Sequence, residues 1–321
     1  MNDSLTRRNF LTYSAGLGAG VAMASVLARS SVGASPERLT VSVRDAMLKQ
    51  TGEPDCWAAL KRIGAEGVEV VVTDDFAVPG LFHPGEKYSL ATDAGIARVK
   101  AAAAAAGQRI TALCMANHFA QRPDKEVELC SRTAQAARAL GAPTIRIDVV
   151  PHNLARPEFL KLATATLTKV LAASESTRVT FAIENHGNTT NDPDFLRPLF
   201  AGVGSDRLGL TLDTGNFYWF GHPLTKVYEL YEMFAPRVFH THCKSIGYPA
   251  EMREKQRPIG WQYGKYHGPI YSGDIDFRRV VAILKKAGYA NDLCIEDESL
   301  GNKKDAADIL TKELQLLKEL R

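Results

Sequence analysis

The chain has 321 residues, 45% hydrophobic and 23% charged, with a formal net charge of +3. This composition excludes a disordered or fibrous protein and suits one large or two ordinary globular domains with ample core. A charge so near neutrality gives no reason to seek polyanions, so nucleic acid is not an expected partner.

In chain order, residues 1–34 come first and stand apart. The stretch "TRRNFLTYSAGLGAGVAMASVLARSSVGA" holds the Arg7–Arg8 pair, a weakly apolar run rich in Gly, Ala and Ser, and small residues around Val32 and Ala34. It reads as a twin-arginine (Tat) export signal, which makes the mature chain 35–321 periplasmic or otherwise exported. An uncleaved membrane anchor is the alternative, disfavoured by the many small residues. No later stretch could span a bilayer, so no stable membrane association is expected after signal cleavage. Asp3, Arg7, Arg8 and Arg29 leave with the signal, and the mature charge falls to about +1. The five cysteines (Cys56, Cys114, Cys130, Cys243, Cys294) are odd in number with no CxxC pair, which reads as buried thiols. Tat export carries folded proteins, so a metal loaded in the cytoplasm is compatible with this route.

Through the mature chain, short β-branched runs alternate with helical patterns. The strand candidates are "LTVSV", "GVEVVV", "ITALCM", "TIRIDVV", "VTFAI", "LGLTLD", "RVFHTH" and "DLCIED". Between them, Val127, Cys130, Ala134 and Ala137 recur at helical spacing up to a terminating Gly141. A second face, Leu160, Ala163, Leu167 and Val170, follows "RPEFLKLA". Eight such units of about 30 residues predict parallel strands with crossover helices in a single-domain (β/α)8 TIM barrel of the α/β class. An open doubly wound sheet is the alternative, weakened by the lack of GxGxxG after an early strand.

Four successive late strands end in metal-ligand chemistry: "FAIENHG" at Glu184, "GLTLDTGNF" at Asp213, "VFHTHCKS" at His242 and "LCIEDES" at Glu296. Glu184 to Asp213 and Asp213 to His242 are both 29 residues, about one barrel unit, which implies equivalent points on adjacent strands. The 54 residues to Glu296 hold one unit plus a long segment after strand seven, 245–273, with little regular pattern. The carboxyl ends of barrel strands form the active face, so these side chains should converge. Three carboxylates there would repel one another unless a cation neutralised them. Three oxygens and one imidazole suit a single divalent metal, Mn2+ first, with Mg2+, Co2+, Fe2+ or Zn2+ as alternatives. His240, two residues before His242, points to the same side of the strand and leaves the histidine ligand ambiguous.

The ordered set "IENH", "LDTGN", "HTHCKS" and "SGDIDFRRVVAILKKAGY" followed by "CIEDE" resembles the xylose isomerase-like superfamily of sugar isomerases and epimerases, which includes endonuclease IV. The resemblance covers essentially the whole mature chain. It implies that Glu184, Asp213, His242 and Glu296 are metal ligands, His242 being preferred because it precedes Lys244 in the family's His-x-Lys pattern. It also implies that Glu184 and Glu296 move a proton, as in the ketose 3-epimerases. The expected activity is a metal-dependent sugar isomerase or epimerase working through an enediolate on a small-molecule carbohydrate. Expulsion of a β-substituent from the same enediolate makes a lyase on 3-keto-glycosides the runner-up. Endonuclease IV chemistry would need, by resemblance, further histidines at Asn216 and soon after His242, which are missing. A non-catalytic sugar-binding barrel would be expected to have lost a ligand or glutamate, and none is lost. Barrels of this family often associate, which leaves a homo-oligomer open.

Five more residues are substrate-binding candidates. His186 shares a face with Glu184, Asn216 follows Asp213 by three where the ketose 3-epimerases carry histidine, and Lys244 is placed to polarise a substrate oxygen or form a salt bridge. His118, after strand three, and His267, in the long segment, are weaker candidates. Glu69 and Asp148 read as supports or buried charge pairs, and Phe217, Tyr218 and Trp219 as a stacking wall or core. The long segment reads as a lid, binding surface or oligomer contact. Its Arg253, Arg257, Trp261 and Lys265 leave an anionic substrate open.

Overall fold

Runs of β-branched and aliphatic residues that are buried on both faces can only be parallel-sheet strands covered by helices. In the computed structural model, which describes residues 38–301 and 303–321, they form β1 (Thr40–Arg44), β2 (Gly67–Val72), β3 (Arg109–Met115), β4 (Thr144–Ile147), β5 (Thr180–Glu184), β6 (Leu208–Asp213) and β7 (Val238–His242). Two short strands, β8 (Ser245–Ile246) and β9 (His267–Gly268), pair antiparallel inside the long segment, and β10 (Asp292–Ile295) is the eighth barrel strand. The order β10-β1-β2-β3-β4-β5-β6-β7 is parallel throughout, the predicted TIM barrel. The expected export signal, 1–34, lies outside the described residues.

The helices are α1 (Cys56–Ile63), α2 (Asp93–Ala105), α3 (Pro123–Leu140), α4 (Arg156–Ala173), α5 (Pro193–Val203), α6 (Asn216–Trp219), α7 (Leu224–Phe234), α8 (Tyr263–Tyr266), α9 (Phe277–Lys286) and α10 (Ala306–Leu320). Local signals set their ends. Asp55 accepts from the Ala58 amide at 2.8 Å and Asp276 from that of Arg278 at 2.9 Å, which occupies otherwise orphaned first-turn donors. Gly141 ends α3 at φ 83°, a left-handed conformation that glycine adopts without strain. Ala163, Leu167 and Val170 of α4 are buried as their spacing predicts, whereas Leu160 is only half-buried. All five cysteines are buried free thiols.

The barrel closes between β7 and β10 with little backbone pairing. Cys243 N donates to Cys294 O at 2.6 Å and Glu296 N to Cys243 O at 3.2 Å. Below them a side chain takes over: the Thr241 hydroxyl donates to Asp292 O at 3.0 Å and accepts from Cys294 N at 3.1 Å.

The interior is polar where most barrels stack aliphatic layers. His240 and His242 on β7 both reach Glu69 on β2, two strands that are not neighbours, so these contacts cross the barrel. The long segment is ordered around Arg257. That guanidinium is buried, donating to the carbonyls of Met252 (2.6 Å), Lys255 (2.8 Å), Tyr218 (3.1 Å) and His222 (2.7 Å) between the rings of Tyr218 and Tyr248. Arg253 pairs with Asp274 at 2.9 Å, and Trp261 stacks on Tyr266. Arg257 is therefore spent on backbone carbonyls and is not an anion-binding residue.

Thr241→Val should remove both seam hydrogen bonds and destabilise the fold by about 1–3 kcal/mol. A lower urea midpoint at unchanged m-value, largely restored by Thr241→Ser, is the expected result.

Candidate metal centre

Glu184, Asp213 and His242 are the last residues of β5, β6 and β7, and Glu296 follows β10 directly. One ligand atom from each lies within 4.8 Å of the others. Asp213 and His242 are register partners, as their equal spacing predicts, but Glu184 pairs with Thr211, two residues below Asp213. Equal separations thus do not give equal levels all round, because tilted barrel strands are staggered. The side chains converge regardless, all at most 3% exposed.

Each member is oriented by named partners. Arg146 Nε donates to Glu184 Oε2 at 2.5 Å, and Asn216 Nδ2 to Glu184 Oε1 at 3.1 Å. Asp213 Oδ1 accepts from the amides of Gly215 and Asn216, both at 2.8 Å. Arg44 Nη1 donates to Glu296 Oε1. His242 Nε2 is 2.9 Å from Glu69 Oε2, which leaves Nδ1 facing Glu184 Oε2 at 3.5 Å and Glu296 Oε2 at 3.3 Å.

Three buried atoms are left without a hydrogen bond: Asp213 Oδ2, His242 Nδ1 and Glu296 Oε2. Lys244 Nζ approaches Asp213 Oδ2 (3.0 Å), Glu296 Oε2 (2.9 Å) and Glu298 Oε1 (2.9 Å), but only the last is a hydrogen bond. Buried polar atoms are rarely left unpaired. Orphaned lone pairs converging in an oxygen-rich set with one imidazole fit a divalent cation.

The electrostatics are tightly balanced. Burial pushes the Asp213 carboxyl up to about 7, with Lys244 opposing the rise and Glu184 and Glu296 adding to it. Burial also opposes ionisation of the two glutamates, yet Arg146 and His242 hold Glu184 well below the carboxylate range, and Lys244, His242 and Arg44 do the same for Glu296. Burial disfavours the charged His242 imidazole, but Glu69, Glu296 and Glu184 outweigh it and raise its pKa well above the usual value. A metal taking Nδ1 would displace that proton. Repulsion among carboxylates does not by itself call for a metal here, because Arg44, Arg146 and Lys244 already offset it. The orphaned atoms carry the case.

Above the cluster lies a cavity of about 400 Å3 that Glu184 and Glu296 line, with Asp213 and His242 beneath it. His186, Asn216 and Lys244 line it as expected. His186 is half exposed, its Nδ1 3.6 Å from Asp148 Oδ1. His118 and His267 do not line the cavity: His118 stacks on His152 at 5.6 Å, and His267 Nδ1 approaches Tyr263 O at 2.8 Å beneath the Tyr263 ring. His118 follows β3 in a loop and His267 begins the short β9, and the direction of neither is encoded by local sequence.

His240 points to a deeper layer, 2.7 Å from Asp292 and 3.3 Å from Glu69, so the cluster histidine is His242. Phe217 and Tyr218 are core, and only Trp219 of that trio reaches the cavity. Sequence reasoning missed Arg44, Arg146, Tyr263 and Glu298. The charge inside "TIRI" and at the end of "TVSVR" was a usable signal for the two arginines, since a parallel strand has no solvated face.

A family model described as "Xylose isomerase-like TIM barrel" matches residues 57–320. An uncharacterised protein of Methanocaldococcus jannaschii is 25% identical over 160 residues, 48% of this chain and 49% of that protein, so the match spans about half of that relative. Among solved structures, an IolI protein with a bound zinc atom matches at a TM-score of 0.66 and 16% identity, covering 88% of this chain and 99% of that one. A D-allulose 3-epimerase from Methylomonas sp. in complex with D-allulose matches at 0.62 and 17%, covering 89% and 98%. A mannonate dehydratase from Streptococcus suis matches at 0.62 and 15%, covering 88% and 93%. At these identities the likeness establishes the fold alone.

Glu69→Gln should weaken divalent-metal affinity about 10- to 100-fold, because the His242 Nε2 proton loses its charged acceptor. Calorimetric titration with Mn2+ or Zn2+ measures it, and unchanged affinity would show that Glu69 does not orient the ligand.

Proposed function

The chain belongs to the xylose isomerase-like TIM barrel family, and from that premise we propose that it is a divalent-metal-dependent sugar isomerase or epimerase that moves a proton on the carbon beside a carbonyl. The observation that carries this reading is that, of the four clustered residues, the two glutamates alone line the cavity. In this reading Asp213 and His242 would hold the ion, and Glu184 and Glu296 would hold it and react.

Glu184, Asp213, His242 and Glu296 would bind the ion, with Mn2+ the first candidate. Zn2+ stays among the alternatives with Mg2+, Co2+ and Fe2+, since a structural relative carries zinc. A bound divalent ion would supply electrophilic stabilisation of the oxyanion that develops as a carbon-bound proton leaves. Glu184 and Glu296, on different strands, would act as base and acid, one accepting the proton and the other returning one to the opposite face or the neighbouring carbon. Arg146 and Arg44 hold the two carboxylates in fixed orientation, which favours transfer at a defined atom. Asn216 and His186, which line the cavity, would bind substrate hydroxyls, and Trp219 would offer an apolar face.

A lyase or dehydratase is the second reading. Tyr263 lines the cavity with its hydroxyl 2.5 Å from Glu298 and is placed to protonate a departing β-substituent. Export by the Tat route is also proposed. It is supported by the Arg7–Arg8 pair and by five thiols that are all buried and unpaired, which suits folding before export.

The test is exchange of carbon-bound hydrogen with D2O, on metal-loaded mature protein, over ketoses, aldoses and 3-keto-glycosides. Exchange should require metal and fall about 100-fold or more in Glu184→Gln and in Glu296→Gln, with metal content measured in each variant. The products separate epimerase from lyase. No exchange on any sugar with metal fully bound would overturn the isomerase reading.

A further inference from the structure

We propose that the substrate is a sugar acid whose carboxylate adjoins the reacting carbons, and that Arg44 reads it. This rests on the sugar-directed reading above and narrows its substrate class.

Among the described residues, Arg44, Arg146 and Lys244 are the Lys and Arg side chains that line the cavity. Two are already committed to neighbouring carboxylates and are almost fully buried. Arg146 donates to Glu184, to Met115 O at 3.1 Å and to Asp148 at 2.8 Å, and is 7% exposed. Lys244 has three N–H groups and three carboxylates around them, and is 6% exposed.

Arg44 differs. Its side chain is 23% exposed, and of its five donors only Nη1 has a strong partner, Glu296. Nη2 reaches only the Cys114 thiol at 3.8 Å, a weak acceptor. Nε is buried without a hydrogen bond, its nearest carboxylate, Glu69, 3.8 Å away. Nε is closed off, so Nη2 is the donor left for a ligand on this cavity-lining side chain, and an anion gains a charge-assisted hydrogen bond there that a neutral hydroxyl does not match.

Position selects the anion. Arg44 touches Glu296, which both belongs to the cluster and lines the cavity, so a group held by Arg44 lies beside the atom that loses or gains the proton. A carboxylate next to a sugar carbonyl meets that requirement. A phosphate at the far end of a hexose lies several bonds away.

The test uses metal-loaded full-length protein and three probes: 2-keto-D-gluconate, its neutral counterpart D-fructose, and D-fructose 6-phosphate. Calorimetry should show 2-keto-D-gluconate binding at least about tenfold more tightly than D-fructose and D-fructose 6-phosphate. Arg44→Gln should abolish that preference, weakening 2-keto-D-gluconate at least about tenfold more than it weakens D-fructose. Arg44→Lys, which keeps a charge beside Glu296 but loses the fork, should retain the metal and only part of the preference. Equal binding of acid and neutral sugar, a phosphate ester that binds as tightly as the acid, or equal weakening of all probes by Arg44→Gln overturns the proposal. Deuterium exchange into D-fructose without acid preference would sink this inference and leave the isomerase reading standing. Failure of every probe to bind the loaded protein would overturn this inference, and the exchange panel would still decide the isomerase reading.

Discussion

Glu69, a carboxylate at mid-barrel, pairs through its two oxygens with two imidazoles from the opposite wall. One oxygen faces His240 and the other His242, and the residues lie on β2 and β7, which share no backbone pairing. A charge buried this deeply is tolerated only with partners, and removing one partner typically costs 3–5 kcal/mol. Glu69 therefore ties the two walls together at a fixed separation. It also orients His242, because holding Nε2 leaves Nδ1 as the nitrogen that faces the cluster. The chain continues downward, from His240 to Asp292 at 2.7 Å and from Asp292 to the Ser42 hydroxyl at 2.6 Å.

Around that axis every acid of the cluster has a cation beside it, and Lys244 is shared by three. Glu184 has Arg146, Glu296 has Arg44, and Lys244 spans Asp213, Glu296 and Glu298. What is left over is a set of lone pairs, and those define where a divalent ion fits. The same arrangement divides labour by depth. The aspartate and the histidine are closed off beneath the cavity, and the glutamates have one side towards a ligand.

The segment after β7 extends the rigid frame to the cavity wall. Arg257 gathers five carbonyls between two tyrosine rings, so this excursion of nearly thirty residues is held from within. It delivers Tyr263 to the cavity, where a hydrogen-bonded chain runs from that phenol through Glu298 to Lys244. One wall of the site thus comes from a segment with no periodic pattern, and it is joined to the cluster through side chains separated by 54 residues and by 35 residues along the chain.

Much of this protein was determined by sequence alone. Alternating β-branched runs and amphipathic helices specify a barrel, since buried parallel strands need crossover helices, and polar residues at four successive strand ends specify one active face. His242 over His240, the register of Glu184 and the pairing of Arg44 and Arg146 with separate glutamates were decided only by tertiary structure. Strand stagger and the direction of a side chain across a barrel are properties of closure, to which every strand contributes and which no local stretch encodes. For the same reason His118 and His267 fell outside the cavity while Tyr263 and Glu298 entered it. Their positions follow from packing among distant elements, whereas the four strand-end residues inherit theirs from the fold itself.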